Sequence, residues 1–399
     1  MSAKRHSWAS ETSLLDIGTN RDMSIKFDIK SIDESLRAAV SDMIDNLNKP
    51  RGSLGMLETV AAKICLIQHS LRPCLKHPCH LLFGADHGIE REHVSASPRE
   101  VTWQQMINFT RGGAAVNMFC SQHGFDLHII DIGVDHDLSA YPEIVNRKIA
   151  NGTRDFLYEP AMDASQYVEA LNVGIEQVDI AWNEGSNIVC IGEMGIANTS
   201  AASVWMHLLT RLPLADCIGA GSGLDVDGVN HKLQVLERAV MNFRNGMFSH
   251  QESHVSSSEM PCLRPVNAAF GSDKCGIDDV ETVLSHFGGF EMVAAVGAML
   301  RAAEHGMIVM VDGFIMSACM LAASRLYPEV LQYAIFGHCG SEQGHRKLLD
   351  YMGAKPLLSL QMRLGEGTGA LCAYPLIDSA VRMVNEMNTF KGANITKYF

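Results

Sequence analysis

The sequence predicts an α/β fold: a parallel sheet with helices on both faces, plus a small helical domain built from N- and C-terminal segments. Three observations predict it. Short apolar runs repeatedly end in Gly or Asp and lead into helical stretches. Helical patterning without such runs spans Ile32 to His69. One more helical stretch, Ala370–Phe390, follows the last Gly-rich loop. Strand, loop and helix in repetition are how a parallel sheet covered on both faces reads in sequence.

Residues 1–24 are polar and read as a loosely ordered extension. From Ile32 to His69 apolar residues recur at spacings near three and four, the period of a helix. Lys49-Pro50-Arg51-Gly52-Ser53-Leu54-Gly55 interrupts that pattern, because Pro and two Gly force a turn. Six runs then read as strands: Leu81–Gly84, Leu127–Ile132, Asn187–Ile191, Ala215–Ile218, Met307–Val311 and Tyr333–Phe336. Each ends in a polar or Gly-rich loop. In parallel sheets, ligands bind at the carboxyl ends of the strands, so these loops share the expected binding edge. His250–Asp278 has mixed polarity, with Pro, Cys and three consecutive Ser, and reads as a loop or insertion. Ala370–Phe390 has one apolar face and is expected to pack with the N-terminal helices. The expected division is a helical unit over 25–78 and 365–399, and a large α/β catalytic unit over 79–364.

Composition narrows the function. The chain has 399 residues, 47% hydrophobic and 19% charged, enough to bury a sizeable core. The net charge is -13, from 45 acidic and 32 basic residues, which speaks against a polynucleotide partner. A small anion is still accommodated, since backbone N–H groups and a single Lys hold a phosphate locally. No run suggests a membrane span or signal peptide. The 11 Cys are scattered without C-x-x-C pairs, which suits reduced thiols and a cytoplasmic protein. Cys74-Leu75-Lys76-His77-Pro78-Cys79-His80 lacks zinc-finger spacing and reads as a surface loop entering a strand.

Three loops carry candidate chemistry. In Gly192-Glu193-Met194-Gly195-Ile196-Ala197-Asn198-Thr199-Ser200, a strand gives way to a helix. Free N–H groups at such a helix start bind anions, and Gly195, Asn198 and Thr199 are placed to line the site. An ordinary turn with a capping Asn reads the same way. Gly219-Ala220-Gly221-Ser222-Gly223 repeats the idea, with Gly221 and Ser222 allowing close backbone approach. It lacks the G-x-G-x-x-G spacing of a dinucleotide site. Lys232 in the following helix adds a point charge for a phosphate, or is simply solvated. The third loop is Leu364-Gly365-Glu366-Gly367-Thr368-Gly369-Ala370. A carboxylate with Gly on both sides has free backbone and clear space, although a capping Glu at a helix start is the plain alternative. Glu193 and Glu366 fall on one sheet edge, where two carboxylates can take separate roles. Asp86-His87-Gly88 and Asp312-Gly313-Phe314 read as two ends of one acidic rim, although either alone is more often a structural turn. G-x-S-x-G and Walker A sequences are absent.

Taken together these motifs resemble the nicotinate-nucleotide–dimethylbenzimidazole phosphoribosyltransferase family. The match runs from Lys49-Pro50-Arg51-Gly52-Ser53-Leu54-Gly55 through Ala85-Asp86-His87-Gly88, Thr110-Arg111-Gly112-Gly113-Ala114-Ala115, Gly192–Thr199, Gly288-Gly289-Phe290-Glu291 and Asp312-Gly313-Phe314 to Leu364–Gly369. It covers about residues 30–390, in order. The resemblance implies a Rossmann-like domain with a small helical domain, as a homodimer, making the α-ribotide used as the lower ligand of cobamides. It implies Glu366 as general base, Glu193 as the second site carboxylate, and Lys232 near the substrate phosphate. Ser97 and Gln105 match positions lining the base pocket, and Met194 and Leu364 match its apolar wall. Two small molecules are the implied partners, nicotinate mononucleotide and an aromatic base, and no cofactor is implied.

The sequence departs from the family at three places. Arg51 follows Pro50 where the family often has a second Pro. Gly337-His338-Cys339-Gly340-Ser341-Glu342 lacks the usual Ser at Gly340, leaving Ser341 to supply a hydroxyl. The 250–278 segment is longer than usual. Competing expectations are a dinucleotide-binding oxidoreductase, which the loop spacing fits poorly, and a non-catalytic nucleotide sensor on the same fold. A phenolic acceptor in place of a benzimidazole is the alternative within the enzyme reading.

Overall fold

The structure, a computed structural model, describes residues 25–221, 223–251 and 279–397. The 1–24 extension, Ser222 and the 250–278 insertion from residue 252 onward lie outside the described residues.

Six strands form one sheet: β1 (Cys79–Ala85), β2 (Asp126–Gly133), β3 (Ile144–Asn146), β4 (Ile188–Met194), β5 (Ile308–Val311) and β6 (Ala334–Phe336). Their order is β3-β2-β1-β4-β5-β6, and every pairing is parallel. This is the doubly wound order that reverses direction at its middle, where such sheets open a crevice beyond the strand ends.

The helices are α1 (Arg37–Asn46), α2 (Met56–Ile67), α3 (Glu100–Thr110), α4 (Ala115–His123), α5 (Ala164–Asn183), α6 (Asn198–Thr210), α7 (Leu214–Cys217), α8 (Val226–Gln251), α9 (Val280–Phe287), α10 (Phe290–Glu304), α11 (Phe314–Leu326), α12 (Gln343–Tyr351) and α13 (Thr368–Glu386). Strand side chains alternate between two cores, as the period of two requires. Leu81, Phe83, Val189, Ile191, Val309 and Val311 face the core built with α5, α6, α10 and α11. Leu82, Ile129, Ile188, Cys190, Ile308 and Met310 face the core shared with α1 to α4 and α13. Helices α5 and α10 meet at glycines: a Cβ on Gly297 would collide with the Leu171 backbone. The N-terminal pair α1 and α2 thus packs with α13 on one sheet face.

Two expectations about strands need correction. Ala215–Ile218 is not a strand, because Leu214–Cys217 is the short helix α7 behind Pro213. Four apolar residues carry no period that separates helix from strand, and β5 already occupies the place beside β4. The Gly219–Gly223 loop therefore follows a helix. Conversely β3 went unread: it has three residues, of which only Ile144 is buried.

Candidate active site

The carboxyl ends of β4, β5 and β6 open onto one cleft. Its walls are Glu193–Thr199, Gly221, Asp312–Met316, His338, Glu342 and Met362–Gly365, with Ser95 at the rim. The parallel register that sets Phe83 against Glu193 and Gly84 against Met194 brings those two residues to the end of β4.

Glu366 stands at the back of this cleft. Gly365, Glu366 and Gly367 all have positive φ, at 87°, 62° and 80°. A Glu in the left-handed region is sparsely populated, and such strain clusters at functional positions. The two glycines make the conformation possible. A Cβ on Gly365 would lie 2.6 Å from Glu193 Oε1, and one on Gly367 would overlap His80. The imidazole of His80, buried on β1, donates from Nε2 to the Glu366 carbonyl at 3.0 Å. Burial lowers His80 to about 3, so the ring is neutral and works as a backbone anchor. The Glu366 side chain is 3% exposed, and its Oε2 has no hydrogen-bond partner. Burial, with the Asp312 carboxylate nearby, pushes it up to about 7, while the Val116 N–H at the start of α4 works in the opposite sense. A carboxylate at that value exchanges a proton near neutrality.

Glu193 is also buried, and Asn198 Nδ2 donates a short hydrogen bond to its Oε2. Burial holds Glu193 well above the usual carboxylate range, and the neighbouring Glu291, Asp312 and Glu366 push the same way. Asn198 therefore does not cap α6. Its amide is spent on Glu193, and the residue at the cap is Ala197, in the left-handed region. Asp312 accepts the Ala370 N–H at 2.8 Å, and His338 Nε2 lies 3.6 Å from Asp312 Oδ1.

Lys232, on α8, is completely buried. It donates to Thr199 Oγ1 at 2.8 Å, beneath Gly221. Burial lowers the amine to about 8, against the pull of Glu342. An amine held beside the start of α6 and a Gly-lined approach can hold an anion, although the Asn198 and Ser200 N–H groups already donate to the Gly195 and Ala197 carbonyls.

Of the residues picked from sequence, the structure brings together Glu193, Met194, Gly195, Asn198, Thr199, Gly221, Asp312 and Leu364 around the cleft, with Lys232 and Glu366 against it. Ser97, Gln105 and Ser341 do not line it. The Gln105 side chain accepts from Asn108 Nδ2 at 3.0 Å, and Ser341 is exposed, its N–H donating to the Met362 carbonyl at 3.1 Å. The missing hydroxyl at Gly340 has a steric counterpart: a Cβ there would lie 2.5 Å from Glu342 Oε2. Glu342, His338, Arg363 and Met362 were not singled out from sequence. His338 and Glu342 lie in the Gly337–Glu342 motif, and Met362 and Arg363 just precede Leu364, but nothing in single-chain spacing says which of these side chains turn inward. Among the described residues, no set of His, Cys, Asp or Glu is grouped to hold a metal ion, and no helix is long and apolar enough to cross a membrane.

A buried carboxylate pair beside a buried lysine, at the carboxyl edge of a doubly wound sheet, is a site suited to group transfer on a small anionic substrate. The profile of a phosphoribosyltransferase family matches residues 29–256 and 265–395. The nicotinate-nucleotide–dimethylbenzimidazole phosphoribosyltransferase of Parabacteroides distasonis is 50% identical over 376 residues, covering 94% of this chain and 100% of that protein. The one from Bacteroides fragilis is 51% identical over 373 residues, covering 94% and 99%. A crystal structure of the corresponding protein from Thermus thermophilus superposes with a TM-score of 0.79 at 33% identity, covering 92% of this chain and 100% of that one. The chain belongs to the nicotinate-nucleotide–dimethylbenzimidazole phosphoribosyltransferase family.

Proposed function

We propose that this enzyme transfers the phosphoribosyl group of nicotinate mononucleotide to a ring nitrogen of 5,6-dimethylbenzimidazole or a related base, with Glu366 as proton acceptor. The phosphate sits over Lys232, Thr199 and the start of α6. The apolar wall of Met194 and Leu364 meets the base. The C1′–nitrogen bond to the pyridinium breaks, and its electron pair returns to the nicotinate ring. A lone pair on one nitrogen of the incoming base forms the new C1′–N bond from the opposite face, so the β-ribotide becomes an α-ribotide. The proton on the other ring nitrogen passes to Glu366. General-base help of this kind contributes about 10²–10⁴-fold, and holding two substrates in line contributes more.

The observation that carries this reading is the Glu366 carboxyl: buried, strained at positive φ, with one oxygen unpartnered and beside the cleft. A charge-free mimic tests it. Glu366→Gln should still bind nicotinate mononucleotide in titration calorimetry but release almost no nicotinate, by chromatography, when 5,6-dimethylbenzimidazole is added. Near-normal release would overturn the assignment. The same reading includes a cytoplasmic homodimer, which light scattering on the purified protein tests for assembly. It also includes a helical unit over 25–78 and 365–399 distinct from the catalytic unit over 79–364, which limited proteolysis tests.

A further inference from the structure

Four carboxyl groups meet in and behind the cleft: Glu193, Glu291, Asp312 and Glu366, all buried. They are not partnered alike. Asp312 has backbone donors from Ala370, Gly313 and Gly369, with His338 beside it. Glu366 has the Val116 N–H. Glu291, in the first turn of α10, sits 2.7 Å from His87 Nε2, the two side chains 0% and 1% exposed. Glu193 has the neutral Asn198 amide and no cation. It is faced by Asn198 from α6, Glu291 from α10, Asp312 from the end of β5 and Glu366 from the loop before α13, with the Cys319 thiol of α11 nearby. A buried acid with one neutral donor and like charges around it keeps its proton, and two carboxyls treated so differently divide into donor and acceptor.

The His87–Glu291 pair also packs against the cleft wall. A Cβ on Gly195 would lie 3.2 Å from both Glu291 Oε1 and His87 Nε2, and one on Gly289 would overlap both side chains. Glu291 Oε2 and His87 Nδ1 have no other partner. Gly195 forms the wall beside Glu193, whose Oε1 turns toward Gly365.

We propose that His87 and Glu291 are positioning residues for the transfer reaction: they fix the Gly195 wall and hold Glu193 as a hydrogen-bond donor to an oxygen of the bound nucleotide, while Glu366 alone accepts the proton. This rests on the phosphoribosyl-transfer reading above. Removing the Glu291 charge while keeping its shape lets Glu193 release its proton at lower pH, because a like charge has gone.

The test is infrared difference spectroscopy on the full chain with nicotinate mononucleotide bound. At neutral pH, wild type minus Glu193→Gln should show a carboxylic-acid carbonyl band. In Glu291→Gln that band should titrate away at a pH lower by about one unit or more. The conservative Glu291→Asp should restore its position in part. A purely structural pair would lower kcat and leave the band where it was. Absence of the band in wild type, or an unmoved band in Glu291→Gln, overturns the inference. The wild-type comparison stands even if Glu291→Gln does not fold. Failure of the transfer reading itself shows separately, as normal turnover in Glu366→Gln.

Discussion

The two loops that bring the site carboxylates together are held in opposite ways. The loop after β4 is braced by side chains: Asn198 on Glu193, Thr102 Oγ1 accepting the Ile196 N–H at 3.2 Å, and His87 with Glu291 behind Gly195. The loop before α13 is instead gripped at its own backbone, by its conformation and by groups that hold its carbonyls. Three successive residues at positive φ, a carbonyl anchored by His80, and the Thr368 hydroxyl donating to the Gly365 carbonyl at 2.7 Å fix it, while Leu364 beside them is 57% exposed. Side-chain bracing lets the first loop set the protonation of an acid. Backbone bracing lets the second aim a carboxylate whose Oε2 remains free to take a proton.

The sharpest break in that comparison is Glu366→Gln, which keeps the backbone brace and removes the basic oxygen. Turnover should fall by about 10²–10⁴-fold with nucleotide affinity retained. In the wild type kcat/KM should rise with pH through about 7, since the base must be deprotonated. Stability should move in the other direction. The folded-state value near 7 exceeds the unfolded reference of 4.5, so the folded form binds the extra proton. The contribution is fully present below about 4.5 and is lost as pH rises through about 7. The cost is on the order of 3 kcal/mol at the alkaline end. Denaturant melts of wild type and Glu366→Gln should therefore diverge between about pH 4.5 and 7, the wild type losing stability relative to the variant, and keep a constant gap above that range. Parallel pH–stability curves would refute the buried, raised carboxyl.

A smaller change separates the loops physically. Gly365→Ala places a methyl group 2.6 Å from Glu193 Oε1 at a φ of +87°. It should cost about 1–3 kcal/mol in urea unfolding and reduce kcat by pushing the carboxyls apart. Full activity with unchanged stability would mean that the loop has slack the structure does not show.

The backbone-braced loop was the more legible one. Glycine on either side of Glu366 announces a special conformation in sequence, because only Gly tolerates it cheaply. The parallel sheet was legible for a similar reason: short apolar runs that repeatedly end in Gly or Asp and lead into helices have few other readings. The side-chain brace was not legible. His87 and Glu291 lie 204 positions apart, and each reads alone as an ordinary turn or helix-start residue. Asn198 looked like a cap because Asn before a helix commonly is one, and only the end of β4 shows that its amide is already taken. The strand assigned to Ala215–Ile218 failed where periodicity has no content, in a four-residue segment behind a Pro. Ser341 lies outside the cleft lining, and a motif names positions without saying which neighbouring side chain turns inward.

The smallest expected effect concerns the proposed anion seat at Lys232, Thr199 and Gly221, beside the first of these loops. Lys232→Met keeps the buried stem and removes the charge next to Thr199 and Gly221. A hydrogen bond to a charged group is worth about 1.5–3 kcal/mol, so the Kd for nicotinate mononucleotide should weaken by about 10- to 150-fold. Turnover at saturating nucleotide should change little, because the charge removed acts on binding of the nucleotide and not on the proton that Glu366 takes. The wild-type affinity should also decline as pH rises through about 8, where the buried amine loses its proton. Titration calorimetry across that range checks both. The variant should be weaker at neutral pH and flat where the wild type declines. A variant with wild-type affinity would remove Lys232 from the proposed phosphate seat.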